Sequence, residues 1–358
     1  MSIAYLKGMK KRMLFTFCLL LLLLFLFGLS ISVGSAKISF LDVYKVLLSR
    51  ISTLFKANVD ETCEYIILNL RLPRVLGAVV VGSALAVAGA VCQAIMRNPL
   101  ASPFTIGVSS AASFGASLAI ILGYGVLSCY GGGYGYIVTN ELLVIVNSFV
   151  FCMLCAFIVS VVAGVKGSNP TTIVLCGVAV GYFFSACASI MQYLGEAEAL
   201  KSVVAWLLGD LGRVTWRYLP WMSLSLMVIP LFAVLGWRLN AFNMGDEVAA
   251  SLGVNVKRLR ATCIALICFM TATTISFVGV IGFVCLVSPH VARIIIGNDN
   301  RVLVFASALV GANLLLASDT IARTIVAPVI LPVGAVTSCV GGPFFVYLLL
   351  KSRRVHWT

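Results

Sequence analysis

The chain has 358 residues, 61% of them hydrophobic and 10% charged, with a formal net charge of +13 and a mean hydropathy of +1.10. That is more apolar surface than a soluble core can enclose, which excludes an ordinary water-soluble enzyme or binding module. The positive charge invites a nucleic-acid reading, but the basic residues are spread between apolar runs and form no single patch, which excludes that reading too.

Apolar runs of about 20 residues, the length a bilayer crossing needs, recur from end to end. They predict an all-α, polytopic membrane protein with about ten transmembrane helices in one membrane domain, 1–358. Lys10-Lys11-Arg12 followed by 14–29 resembles a signal peptide, but the run is longer than the usual apolar region and no cleavage-type site follows in 30–37. It is read as a retained first helix. Residues 37–64 are polar enough for an outer loop with a short amphipathic piece. The second helix opens on Arg71-Leu72-Pro73-Arg74 and stops at Arg97-Asn98-Pro99. Pro73 suits a first helical turn, and Pro99 pushes Asn98 out of the α region. Gly82, Ala86 and Gly89 share one face, the spacing that lets another helix approach closely in lipid.

The third helix, 105–123, carries Gly107, Ser109, Ser110, Ser113 and Gly115. A Gly/Tyr-rich outer turn, 131–136, leads to a fourth helix over 142–164, and Asn169-Pro170 breaks the inner loop that follows. The fifth helix, 171–193, sets Gly177, Gly181, Ser185 and Ser189 four apart on a narrow, partly hydroxylic face. That face suits close packing or the wall of a pathway. Residues 196–217 are too mixed to span, with Trp206 and Trp216 suited to a membrane interface. A sixth span covers 220–236.

The stretch NMGDEVAASLGVNVKRLR, 243–260, has room for a two-turn helix capped by Asp246 and ended by Gly253 in the αL conformation, with Lys257, Arg258 and Arg260 near anionic headgroups. The seventh and eighth helices share only 261–297, so one is short or bent, with Gly279, Gly282 and Pro289 as the breaks. The ninth, 302–324, carries Asp319 and Arg323 in the favourable i, i+4 order near its outer end. Leu331-Pro332-Val333-Gly334 and Gly342-Pro343 lie in the tenth. With both termini inside, fifteen basic residues face three acids on the cytoplasmic side, as the positive-inside rule requires.

Most of the twelve cysteines lie in or beside apolar runs and read as small hydrophobes. Cys152 and Cys155 form a C-x-x-C without a histidine or a second pair, which argues against a metal or redox site. Cys63 and Cys129 both fall outside, and a bond between them stays open. There is no G-x-x-x-x-G-K-[ST], no Ser-His-Asp set and no metal-ligand cluster in the chain. No catalytic residue, metal or cofactor is therefore expected. His290 reads as a structural histidine near the inner interface.

Arg71-Leu72-Pro73-Arg74, Gly82, Gly89, Gln93, Asn98-Pro99-Leu100-Ala101, Pro103 and Gly107 stand in this order in the second helix and just beyond it. Further on come Trp206, Gly209, Asp210 and Leu211, then Gly245-Asp246-Glu247, Ile281-Gly282-Phe283, Pro289-His290 with Arg293, Leu331 to Gly334 and Gly342 to Phe345. Together they resemble the FecCD family, the permease subunits of bacterial ABC importers for iron–siderophore complexes, haem and cobalamin. The chain departs from the family pattern at Asp210, where serine is usual, at Cys285, where a glycine is usual, and at Ile330, where a glutamate is usual.

The resemblance implies a type II ABC importer permease fold in the bacterial cytoplasmic membrane. The implied partners are a second copy of the chain, two ATPase subunits, a periplasmic or lipid-anchored substrate-binding protein and membrane lipid, with no nucleic acid. The implied cargo is an iron complex, with cobalamin the alternative on the same scaffold. By the same resemblance, Gly245, Asp246, Glu247, Ala249, Ala250, Leu252 and Gly253 couple to the ATPase. Arg71, Arg74 and Arg323 receive the binding protein, and Asn98, Leu100, Pro170 and Thr171 form a cytoplasmic gate. It also favours the pathway role for Gly177, Gly181, Ser185 and Ser189. A reading of a different class, an ion-coupled carrier, needs an intramembrane acid. Asp319 is the candidate, and Arg323 stands ready to neutralise it.

Overall fold

The computed structural model describes residues 3–34, 38–51, 59–123 and 141–351, with backbone only at 3–11, 51, 348–349 and 351. Among these residues every regular element is a helix. Helix α1 (Ile3–Ser32) is leucine-rich, and little of its stretch Arg12–Ser32 is buried. The amphipathic α2 (Phe40–Ile51) buries Val43 and Val46 on one face and leaves Leu41 and Leu48 exposed on the other.

Helix α3 (Glu61–Met96) is the centre of the molecule. Its outer end contains a π-helical stretch, Ile66–Arg71, after which nearly every residue from Pro73 to Met96 is buried. A helix apolar on all sides satisfies its surface only when other helices surround it. Small residues make that enclosure close. A Cβ at Gly82 would meet the backbone of Gly311, and one at Gly89 would strike the carbonyl of Cys285. These contacts lock α3 against the ninth and eighth membrane segments.

A 3-10 turn, Pro103–Ile106, leads into the short α4 (Val108–Leu122), followed by α5 (Glu141–Lys166) and α6 (Pro170–Leu194). Asn169 caps α6, its Oδ1 accepting from the Thr172 N–H at 2.7 Å. Helix α6 buries little of itself, exposing Leu175, Val178, Tyr182, Phe183, Ile190 and Tyr193. Helix α7 (Ala197–Leu207) follows.

Helices α8 (Leu219–Val234) and α9 (Gly236–Phe242) form one segment bent by 66°. The bend falls between Val234 and Gly236, at the end of the span expected over 220–236. Gly236 sits against the Arg301 backbone, and a Cβ there would come within 2.9 Å of it. Then come α10 (Asp246–Ser251), α11 (Val256–Val278), α12 (Val284–Ile296), α13 (Asn300–Thr324) and α14 (Val333–Lys351). Gly279, with φ 78°, ends α11 and leaves α12 as the short member of the pair.

Six helices among the described residues are long and apolar enough to cross a membrane, and the bent pair makes a seventh. With the shorter apolar helices Val108–Leu122, Val284–Ile296 and Val333–Tyr347, they account for the expected ten segments. The turn 131–136 and Cys129, the other member of the open Cys63–Cys129 pairing, lie outside the described residues. Trp206 is fully buried, and its backbone carbonyl packs against the Gly279 turn. Trp216 remains partly exposed and donates from Nε1 to the Leu68 carbonyl at 2.8 Å.

Candidate docking, pathway and coupling sites

At the outer end, Arg71, Arg74 and Arg323 converge, but they turn inward. Arg74 Nε lies 3.0 and 3.2 Å from the two Asp319 oxygens, and its Nη2 lies 2.8 Å from Oδ1. Arg323 Nε donates to Asp319 Oδ2 at 3.0 Å, while its Nη2 reaches the Ser30 carbonyl at 2.9 Å and its Nη1 the Val33 carbonyl at 3.1 Å. Arg71 Nη1 donates to the Ile31 and Ser32 carbonyls at 2.6 and 2.7 Å. Two arginines thus satisfy the orphan carbonyls at the end of α1. Asp319 is fully buried between two guanidiniums.

All three arginines, expected to receive the binding protein, are buried at 6–7% exposure. Burying a carboxylate in lipid demands cations beside it, and α3 and α13 supply them. Asp210, half-exposed at 3.7 Å from Arg74 Nη2, is the acid nearest to water in this cluster. Its side chain also caps the turn Leu211–Arg213 through the Gly212 N–H at 2.7 Å. Burial pushes the Arg213 guanidinium below its ordinary value, against the opposing pull of Asp210 and Glu141.

Between α4 and α6 lies a cavity of about 280 Å³. Ser109, Ser110, Ser113, Ser185, Ser189 and Gln192 line it, with Leu207 and Val280 at its end. Ser185 donates to Ser110 Oγ at 3.0 Å. Gly177 and Gly181 do not reach it. A Cβ at Gly177 would meet the Ile106 backbone at 2.7 Å, so both glycines serve close packing against the 103–107 turn. Of the four candidate pathway residues only Ser185 and Ser189 face the groove. The third-helix serines that join them are three and four residues apart, a spacing visible in the sequence once their face is known.

At the inner end, α3 stops in a Schellman motif. Arg97, at φ 48°, donates its N–H to Ala94 O, and the Asn98 N–H reaches Gln93 O at 3.1 Å. A side chain in αL costs about 1 kcal/mol more than glycine there. Asn98 Oδ1 then accepts the Leu100 N–H at 2.9 Å. Asn98, Leu100 and Thr171 are exposed, and Pro170 opens α6.

Helix α10 differs in detail from the sequence reading. Gly245, with φ 111°, is its N-cap, and Asp246 is its first helical residue, so the carboxylate caps nothing. It accepts instead from Arg260 Nη1 and Nη2 at 3.0 and 2.8 Å, with Arg97 Nη2 at 3.7 Å. Arg260 is buried and faces the Phe242 ring at 4.8 Å, not headgroups. Ala249 is fully buried, whereas Glu247, Ala250, Leu252 and Gly253 are exposed. Exposed Met244, Val248 and Leu252 recur every four residues, forming an apolar stripe on a surface otherwise carrying Glu247, Lys257 and Arg258. Asp299 holds α9 to α13 through Asn240 Nδ2 at 2.9 Å. Hydrogen bonds from Arg301, then from Asn240, keep its carboxyl well below the usual carboxylate range despite burial.

No group of three or more metal-ligating side chains occurs among the described residues. The model of the FecCD transport family matches residues 21–351. An ABC transporter permease of Methanocaldococcus jannaschii is 39% identical over 348 residues, 96% of each chain. The hemin transport system permease of Yersinia pestis is 36% identical, covering 84% of this chain and 88% of its own. The cobalamin import permease of Halobacterium salinarum is 37% identical, covering 83% and 76%. A solved inward-facing structure of a metal-chelate type ABC transporter superposes with a TM-score of 0.80 at 29% identity, over 94% of this chain and 99% of that one. With a family match over nearly its whole length, and relatives of this closeness, the chain belongs to the FecCD transport family, as an ABC importer permease of the metal-chelate type.

Proposed function

We propose that this chain works as a pair of identical copies with two separate ATPase subunits, taking an iron complex, a ferric siderophore or haem, from a substrate-binding protein into the cytoplasm. Both termini are cytoplasmic in this reading, and residues 1–358 form one membrane domain. The observation that carries it is α10, a two-turn helix beyond the 66° break that presents Met244, Val248 and Leu252 outward. An apolar stripe in a polar surround on the inner side is what a partner subunit covers. The coupling contact is thus assigned to Glu247, Ala250, Leu252 and Gly253, with Asp246 and Ala249 holding the helix from behind.

The serine groove supports a wall that passes a bulky solute without gripping it, since hydroxyls offer single, exchangeable hydrogen bonds. Asn98, Leu100, Pro170 and Thr171 form the cytoplasmic gate, at helix breaks where small backbone rotations open a constriction. The binding protein docks over the outer cluster, with Arg71, Arg74 and Arg323 shaping the surface from beneath. Relatives named for hemin and for cobalamin stand at similar identity, so cobalamin is the runner-up cargo. An ion-coupled carrier is disfavoured because its one candidate acid, Asp319, is already held by two arginines.

The test is uptake into proteoliposomes containing this chain, its ATPase and its binding protein, with haem, a radio-iron-labelled ferric hydroxamate and cobalamin as alternative cargoes. ATP-dependent uptake of an iron complex that survives a protonophore is the expected result. Uptake that follows the proton gradient and persists without the ATPase overturns the proposal.

A further inference from the structure

Within 243–260, Lys257 and Arg258 are exposed, as basic residues near a membrane surface should be, while Arg260 is buried at 1% exposure. A guanidinium is placed in such a position only when its donors are met. Here they are met by acceptors from three different segments. Nη1 and Nη2 form a fork on the Asp246 carboxylate at the start of α10. Nε donates to the Ile95 carbonyl at 3.2 Å, in the last turn of α3. Nη1 also donates to the Ser168 carbonyl, one residue before the Asn169 cap of α6.

Each acceptor adjoins a turn held at positive φ: Arg97 at 48°, Ser168 at 55° and Gly245 at 111°. These turns are the places where α3 ends, where α6 begins and where α10 begins. The guanidinium is planar and rigid, so a displacement of any one acceptor alters the geometry at the other two. Asp246 has a second cation within reach, Arg97 at 3.7 Å, itself the αL residue that ends α3. A carboxylate shared between two arginines on different segments provides the two arrangements that a coupling element requires.

We infer that Arg260 is the positioning residue that links α10 to both inner helix breaks, transmitting movement of the ATPase-facing helix to the Asn98–Leu100 and Pro170–Thr171 segments together. This rests on the proposed permease reading. Lysine at this position keeps the charge but, as a point donor on a flexible stem, does not span the three acceptors. Asparagine at 246 keeps an acceptor oxygen and removes the charge that draws the fork.

The experiment compares the parent transporter with Arg260→Lys and Asp246→Asn, each assembled with the ATPase and binding protein in proteoliposomes and supplied with whichever of haem, a ferric hydroxamate or cobalamin the parent takes up. The readouts are cargo moved per ATP hydrolysed and the nucleotide dependence of crosslinking at Leu100→Cys. In both variants the ratio is expected to fall about tenfold, within the usual range of coupling energies, and the crosslink to become independent of nucleotide. A ratio within twofold of the parent and a nucleotide-responsive crosslink in Asp246→Asn overturn the inference, even if Arg260→Lys fails to assemble. Loss of the ATPase from the Asp246→Asn complex assigns that residue to docking and also overturns it. A parent complex without ATP-dependent uptake of any of the three cargoes overturns the permease reading itself, and this inference with it.

Discussion

Asp319 shows what a local pattern reveals and what it hides. Its i, i+4 partner Arg323 is legible in the sequence, but Arg74, 245 residues away, makes the closer contact. Arginines placed by topology at helix ends read naturally as surface groups, because sequence spacing carries no information on which carbonyls of α1 will lie beside them. The consequence is a changed expectation for mutagenesis. Asp319→Asn leaves two buried guanidiniums without their anion, a loss on the order of 3–5 kcal/mol, and should lower the detergent melting temperature markedly. Reversing Arg71 and Arg74 together to glutamate should abolish a monodisperse peak in size-exclusion chromatography. Asp210→Asn, at the half-exposed edge of the cluster, should leave folding intact and weaken binding-protein docking at low salt.

Helix α10 is where the chain's own packing divides neighbouring alanines. Ala249 is buried and Ala250 exposed, a distinction of about 100° around a helix axis that the alanine pair itself does not reveal. Ala250→Arg should assemble poorly with the ATPase while the membrane chain stays folded, and Ala249→Arg should fail to fold. Pull-down of the ATPase and size-exclusion profiles of the two variants distinguish these outcomes. The cap of α13 gives a pH test. The Asp299 carboxyl is depressed in the folded chain, so its contribution is complete above the unfolded value near pH 4. It fades as pH falls further and the group takes up a proton. Melting curves between pH 7 and 3 should show an acid-sensitive component that Asp299→Asn lacks. Helix count and order were legible because long apolar runs dominate this composition. The 66° bend was not, since Pro230 and Gly236 mark breaks within 220–242 without fixing an angle, and the close approach of Gly236 to the Arg301 backbone is a tertiary contact.

Across the whole molecule the least self-buried membrane helix beyond the first is α6, which also carries Ser185 and Ser189. In the proposed pair of identical copies, pairing across this helix would cover its apolar face. In a background without reactive cysteines, Leu100→Cys or Thr171→Cys pairs should then crosslink between copies in one nucleotide state and block transport. An impermeant thiol reagent should reach Met244→Cys from the cytoplasm only and Thr215→Cys from outside only. The small-residue face of α6 was legible, but which of its residues met open space depended on the 103–107 turn, whose approach to Gly177 and Gly181 no spacing rule encodes. The clasp at the end of α1 also imposes an order in time. That helix leaves the ribosome well before α13, and one arginine that closes its end is made 293 residues after Ser30. Until α13 is synthesised, this span has been inserted but not fully seated: Arg71 reaches the Ile31 and Ser32 carbonyls earlier, while those of Ser30 and Val33 must be served by water or lipid headgroups. Nascent chains stalled before Asn300 should therefore remain sensitive to membrane proteases near Ser30–Val33, and those stalled beyond Thr324 should become resistant. For this protein, quality control of the first helix waits on nearly the last.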